Sequence, residues 1–157
     1  MPVIKIETLV LAPKQKLFDL CLDMDVHQAG MSIYKEKAIS GVTSGPISLG
    51  ETVTWRAKHF GFFQKLTVEI TEMDTPHYFA DEMVKGTFKR FKHSHYFEDK
   101  EEGTLMIDVF DFNSPLGALG RLVDKLVLTK YMTKLLMSKN EYLKRISESH
   151  AHQLQSE

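Results

Sequence analysis

Apolar and polar residues alternate along most of the first 113 positions, and only the last third of the chain carries a long helical period. Residues 3–11 put Ile4, Ile6, Thr8 and Val10 on one side and Lys5, Glu7 and Leu9 on the other, the pattern of a strand with one buried face. Ala12-Pro13 ends that strand, since proline suits a helix start better than a strand interior. Leu17, Phe18, Leu20 and Cys21 then predict a short amphipathic helix, and MDVHQAGMS a second one closed by Gly30. Residues 33–42 read as a strand, followed by the turn-rich loop TSGPISLGE. Val53, Trp55, Ala57 and His59 point inward against Thr54, Arg56 and Lys58. A tight turn at Gly61 leads into Phe62, Gln64, Leu66, Val68 and Ile70 on one face. After Asp74-Thr75-Pro76, Phe79, Asp81 and Met83 share a parity, and so do Phe91, His93, His95 and Phe97 in the next strand. The acidic turn DKEEG opens the last strand, whose parity stays open: Leu105, Ile107 and Val109 compete with Met106, Phe110 and Phe112.

From Ser114 to about Ile146 the period becomes that of one helix. Ser114 is a good N-cap, and Pro115 suits the first helical position, where a missing N–H costs nothing. Gly117 and Gly120 weaken the first turns by about 1 kcal/mol each relative to alanine, and serve either close backbone packing or a mobile gate. Leu119, Leu122, Val123, Leu126 and Val127 share one face; Leu128, Met132, Leu135, Leu136, Leu143 and Ile146 form a second stripe on the opposite side. Either the helix bends so that its halves meet different parts of a sheet, or one stripe faces a cavity and the other a neighbouring segment or subunit. The polar tail from Ser147 is expected to fray.

The order is therefore strand, two short helices, six strands in meander, long helix. Short Gly and Pro turns imply antiparallel hairpins. The expectation is an α+β fold in which a curved antiparallel sheet of about seven strands holds the long helix across its concave face. Helix and sheet rarely match in shape there, so a cavity between them is expected, and such cavities bind apolar molecules.

Composition narrows the function classes. A chain of 157 residues reads as one domain, 1–157. A formal net charge of −1 with both signs interspersed argues against a nucleic-acid partner. Lys and Arg on the outward faces (Arg56, Lys58, Lys65, Arg90, Lys92) alternate with Glu51, Glu69, Glu72 and Glu82, as in a solvated cross-strand ladder. The single Cys21 excludes an internal disulfide and a multi-cysteine zinc site. No run is long enough for a membrane span and the start is unlike a signal peptide, so a cytoplasmic protein is expected.

The element order, the segments GETVTWRAKHFGFFQKLTVEI and FADEMVKGTFKRFKHSHYF, and the helix opening SPLGALGRLVDKL together resemble the START-like, helix-grip superfamily (SRPBCC) over nearly the whole chain. The similarity is greatest to small bacterial polyketide cyclase-like or ligand-binding members. It implies a hydrophobic pocket between the sheet and the C-terminal helix. It carries no catalytic residue onto this sequence, and the iron ligands of the ring-hydroxylating relatives have no matching motif here. No cofactor and no metal are expected.

Three inward histidines, His59, His93 and His95, are the sharpest candidate chemistry. Alternate residues of a strand present side chains about 7 Å apart, so His93 and His95 can share a ligand or water, with Asp81 or Asp108 nearby. They serve as hydrogen-bonded cavity lining, as groups orienting a ligand's carbonyl or carboxylate, or as a metal site, for which a third protein ligand is needed. The expected ligand-binding set is Trp55, His59, Gln64, Phe79, Met83, Phe91, His93, His95, Phe97, Phe110, Leu119, Val123 and Leu126. Three function classes follow: a binder of a small hydrophobic ligand; a cyclase- or dehydratase-like enzyme with His93, His95 or Asp81 as acid–base groups; and a homodimeric interaction module using the stripe Leu128, Met132, Leu135 and Leu136.

Overall fold

The computed structural model describes residues 2–114, 122 and 124–155. Seven strands form one antiparallel sheet: β1 (Val3–Val10), β2 (Lys37–Gly41), β3 (Thr52–His59), β4 (Phe62–Asp74), β5 (Tyr78–Lys85), β6 (Arg90–Lys100) and β7 (Gly103–Asn113). Their spatial order is β1-β7-β6-β5-β4-β3-β2. The meander from β2 to β7 is thus closed by the first strand pairing with the last, Val3 opposite Asp111 and Val10 opposite Thr104. Helices α1 (Lys14–Cys21) and α2 (Met24–Gly30) follow β1, and the long α3 (Thr129–Gln155) comes last, entered by a π-helical turn at Asp124–Leu128.

Local chemistry accounts for these elements. Asp23 caps α2, its carboxylate accepting from the backbone N–H of Asp25 and Val26. The turn-rich loop after β2 is stapled to the helix pair: Ile47 N–H donates to Leu22 O, Met24 N–H to Gly45 O, and Gly45 N–H to Asp25. The expected strand 33–42 is shortened to Lys37–Gly41 because Ser32–Tyr34 forms a 3₁₀ turn ending on Lys35 in the left-handed region (φ 54°). Register shifts within β4 at Thr67/Val68 and Ile70/Glu72 mark irregularities of the kind that bend a strand and curl a sheet.

The open parity of the last strand is settled by burial. Thr104, Met106, Asp108, Phe110 and Phe112 face inward, while Leu105, Ile107 and Val109 are half-buried on the other face. The core joins this face to Phe18, Leu17 and Val10 on one side and to Leu135, Leu136 and Leu143 of α3 on the other.

The long helix departs from expectation in two ways. It buries the second stripe: Leu135, Leu136 and Leu143 are core, whereas Leu122 and Leu126 of the first stripe are 57% and 62% exposed. Leu119 and Val123 lie outside the described residues, as do Gly117 and Gly120. The buried stripe also carries Lys139, Asn140 and Ser147, which hide it from a reading based on hydrophobicity. The stripe offered as a dimer face is therefore interior. Nor does the helix end at Ile146. It continues through Gln155, with Ser147 fully buried, Glu148 accepting from Leu11 N–H, and Lys144 donating to Leu9 O.

Candidate functional site

Between the concave face and α3 the described residues enclose a cavity of about 540 Å³. Its sheet wall is Val53, Trp55, Ala57, Val68, Ile70, Phe79, Phe91 and Phe110; its helix wall is Leu128, Tyr131, Met132, Leu135, Leu136 and Lys139; α1 and α2 contribute Cys21, Leu22, Met24 and His27. On α3, Tyr131 to Lys139 is eight residues, or about 12 Å of helix, which sets the length of the space beneath.

At the inner end β5, β6 and β7 bring four titratable side chains together. Register places Asp81 opposite His93, and His95 opposite Asp108. Asp108 Oδ1 lies 2.9 Å from His93 Nε2 and 3.1 Å from His95 Nδ1, while Asp108 Oδ2 accepts from Asn140 Nδ2 at 2.6 Å. His95 Nε2 reaches Asp81 Oδ1 at 3.0 Å. The two imidazoles lie 3.8 Å apart between centroids, and Phe79 stacks on His95 at 4.1 Å.

The electrostatics follow from this placement. Burial alone would push the Asp108 carboxyl up, but hydrogen bonds and charge from His93 and His95 hold it well below the usual carboxylate range. Asp81 is likewise lowered: the His95 bond and the charges of His93, His95 and Lys139 outweigh its burial. Burial would lower His95 too, yet carboxylates at both ring nitrogens raise it. His93, buried and beside the charged His95, is pushed down to about 4 against the pull of Asp108 and Asp81. The cluster therefore reads as an imidazolium at His95 clamped between two carboxylates, with a neutral His93 donating Nε2–H to Asp108. One ligand atom each from Asp81, His93 and His95 lies within 4.8 Å of the others, a spacing a divalent cation can use. Against a cation stand the proton that both carboxylates hold on His95 and the charge of Lys139, which acts on the same Asp81.

The other end is rimmed by aromatic groups. The His59 ring nitrogen Nδ1 is 2.7 Å from the Tyr131 hydroxyl, and Tyr34 packs near both, 5.3 Å from His59 and 6.1 Å from Tyr131. Burial lowers His59, opposed by the charge of Glu36, and burial with Tyr34 raises Tyr131. Phe60 and Gly61 make the two-residue β3–β4 turn, both at positive φ (52° and 81°), the geometry of a type I′ hairpin. The Phe60 ring, half exposed, lies 4.5 Å from the Tyr131 ring. Midway along the cavity His27 stacks on Trp55 at 4.4 Å and pairs with Glu36 at 2.7 Å.

Trp55, His59, Gln64, Phe79, Phe91, His93, His95 and Phe110 all line the cavity, as does Asp81. Three expected members do not. Phe97 packs 5.4 Å from Phe18 behind the cavity wall, Met83 lies under Gly86 at the strand end, and Leu126 faces solvent. His59 does not join the other two histidines, because β4 and β5 lie between β3 and β6; it turns to Tyr131 instead. Sequence reasoning passed over Tyr131, Lys139, Asn140 and Glu36. For Tyr131, Lys139 and Asn140 the signal was polarity on a helix face whose apolar neighbours recur at i+3 and i+4; Glu36, just before β2, had none. Cys21 also lines the cavity, and burial pushes its thiol up to about 12 against the charge of Lys139, which leaves it an unreactive part of the wall.

No family model and no curated protein matches the chain. Solved structures do. TTHA0849 from Thermus thermophilus superposes with a TM-score of 0.77 at 18% identity, over 95% of this chain and 99% of that one. Ginseng major latex-like protein 151 from Panax ginseng gives 0.69 at 16% identity, over 93% and 97%. The di-domain ARO/CYC StfQ from the steffimycin biosynthetic pathway gives 0.75 at 9% identity, over 96% of this chain and 51% of StfQ. With the curved seven-stranded sheet, the paired short helices and the long C-terminal helix on the concave face, these likenesses give the chain a helix-grip fold.

Proposed function

We propose that this protein is a one-domain cytoplasmic binder of a small, largely apolar molecule held between the sheet and α3. The observation that carries the reading is the cavity of about 540 Å³, walled by aromatic and aliphatic side chains and floored by a few convergent polar groups. Protein interiors are otherwise close-packed, and pockets of several hundred Å³ with this lining are the common form of small-molecule sites. Mass spectrometry of freshly purified protein, native and then denatured, tests it. A reproducible released small molecule, or an added apolar ligand that raises Tm in proportion to the logarithm of its concentration, is the expected result. A protein whose Tm no apolar compound moves is not a binder.

A second reading is favoured by one observation, the Asp108–His93 pair. A neutral histidine whose Nε2–H is held by a buried carboxylate has its other nitrogen available as a base, as acid–base turnover of a bound substrate requires. H93Q separates the two readings once a ligand is in hand. A binder keeps its affinity within a few-fold, and an enzyme keeps binding but loses turnover.

A further inference from the structure

We infer that the inner end of the cavity selects a neutral, hydroxyl-bearing head group, with Lys139 as its donor and Asp81 as its acceptor. This rests on the cavity being a ligand site, as proposed above, and adds the chemical class of the head.

Lys139 is 9% exposed, lines the cavity from the sheet-facing side of α3, and has no hydrogen bond and no carboxylate within 4.0 Å among the described residues. A buried ammonium with unused donors is costly, and an acceptor brought by a ligand relieves that cost. Across the cavity Asp81 uses Oδ1 for His95 and makes no hydrogen bond through Oδ2 among the described residues. His93 uses Nε2 for Asp108 and makes none through Nδ1. The floor thus offers one free donor group and two free acceptors.

Charge decides what fits them. His95 has a carboxylate oxygen within 3.1 Å of each ring nitrogen, so both nitrogens carry hydrogen and the ring is positive. His95 and Lys139 then offset Asp81 and Asp108, and the floor is neutral in sum. A ligand carboxylate would add an uncompensated negative charge beside Asp81, and a ligand ammonium a positive one beside Lys139. A hydroxyl adds none, and it accepts from Lys139 while donating to Asp81 or His93. The second polar pair in the cavity, His27 with Glu36, already satisfies itself at 2.7 Å and makes no such demand.

The test is calorimetric titration, near neutral pH, of the full chain with four compounds on one skeleton: naphthalene, 2-naphthol, 2-naphthoate and 2-naphthylmethylammonium. The expected result is 2-naphthol binding about tenfold more tightly than naphthalene, as one charge-assisted hydrogen bond implies, and more tightly than either ion. K139M should shrink the advantage of 2-naphthol over naphthalene by several-fold, leaving the share that Asp81 contributes, and K139R should keep it in full. K139M leaves Asp81 and Asp108 offset by His95 alone and is expected to lower stability, whereas K139R keeps the charge, so urea unfolding of both variants is read beside the titration. An ion that matches or beats 2-naphthol, a hydroxyl that gains nothing over naphthalene, or an advantage that survives K139M undiminished each overturns the inference while leaving the ligand site standing. If none of the four binds, the ligand-site reading itself fails.

Discussion

Asp108 holds the inner cluster in one arrangement. Its Oδ1 accepts from two histidines and its Oδ2 from Asn140, which also reaches Thr8 at 3.4 Å, so strands β1, β6, β7 and helix α3 all meet at one carboxylate. The histidines make stability depend on pH with definite signs. His93 titrates near 4 in the fold against an ordinary value of 6.5. Below about 6.5 the unfolded chain takes up a proton there that the native chain refuses, so stability falls as pH drops toward 4. His95 is raised, so its contribution is complete below about 6.5 and fades as pH rises through its native value. Asp81 and Asp108 are lowered, so theirs is present above about 4 and lost in stronger acid. Urea unfolding should show a maximum near the ordinary histidine pKa, and H93Q should flatten the limb between about pH 6.5 and about pH 4.5. An unchanged acid limb would mean that His93 is not the group refusing the proton. Alternation alone placed His93 and His95 inward, because their strand is polar on one side and aromatic on the other. It could not place Asp108, since β7 is apolar on both faces and Asp108 sits among hydrophobic residues on either parity.

At the scale of elements the two stripes of the last helix give the clearest contrast. L136A removes a side chain that is 4% exposed and should cost about 2–5 kcal/mol. L126A, at a residue 62% exposed, should stay within about 0.5 kcal/mol. Thermal or urea unfolding of both variants checks this, and equal losses would put both stripes in the core. The strands were legible because a period of two survives a single polar residue. The helix was legible as a helix but not in its orientation. Its buried face carries Lys139, Asn140 and Ser147 for reasons that lie on other elements: Asp108 and Thr8 for Asn140, the cavity for Lys139. Thr71 and Ser147 hydroxyls are buried without a hydrogen-bond partner among the described residues, and nothing there explains them.

Across the whole molecule the rim of the cavity is assembled from parts distant in sequence. Phe60 comes from the β3–β4 turn, Thr87 and Phe88 from the β5–β6 connection, and Val127 and Leu128 from the π-helical turn before α3. Phe60 holds a positive φ that asparagine adopts with less strain, and asparagine followed by glycine suits this turn type. F60N should therefore leave Tm nearly unchanged while removing the ring that lies on Tyr131. Release of bound 2-naphthol, followed by stopped-flow fluorescence, should then quicken several-fold. An unaltered release rate would exclude Phe60 from the path. None of this rim was visible as a unit in the sequence, because closure of a sheet around a helix brings together turns that no local pattern connects.

The pairing of β1 with β7, and the ties from Lys144 and Glu148 back to Leu9 and Leu11, join the first strand to the last third of the chain through contacts 94 to 137 residues apart. During synthesis the first strand must therefore wait, unpaired at its only sheet neighbour, until β7 has emerged, and the concave face stays bare until α3 follows. A growing chain at that stage presents Trp55, Phe79, Phe91 and Phe110 on an uncovered sheet, which is a surface for chaperones rather than for ligand. The cavity has both of its walls only once the last helix lies on the sheet, so an incomplete chain lacks it.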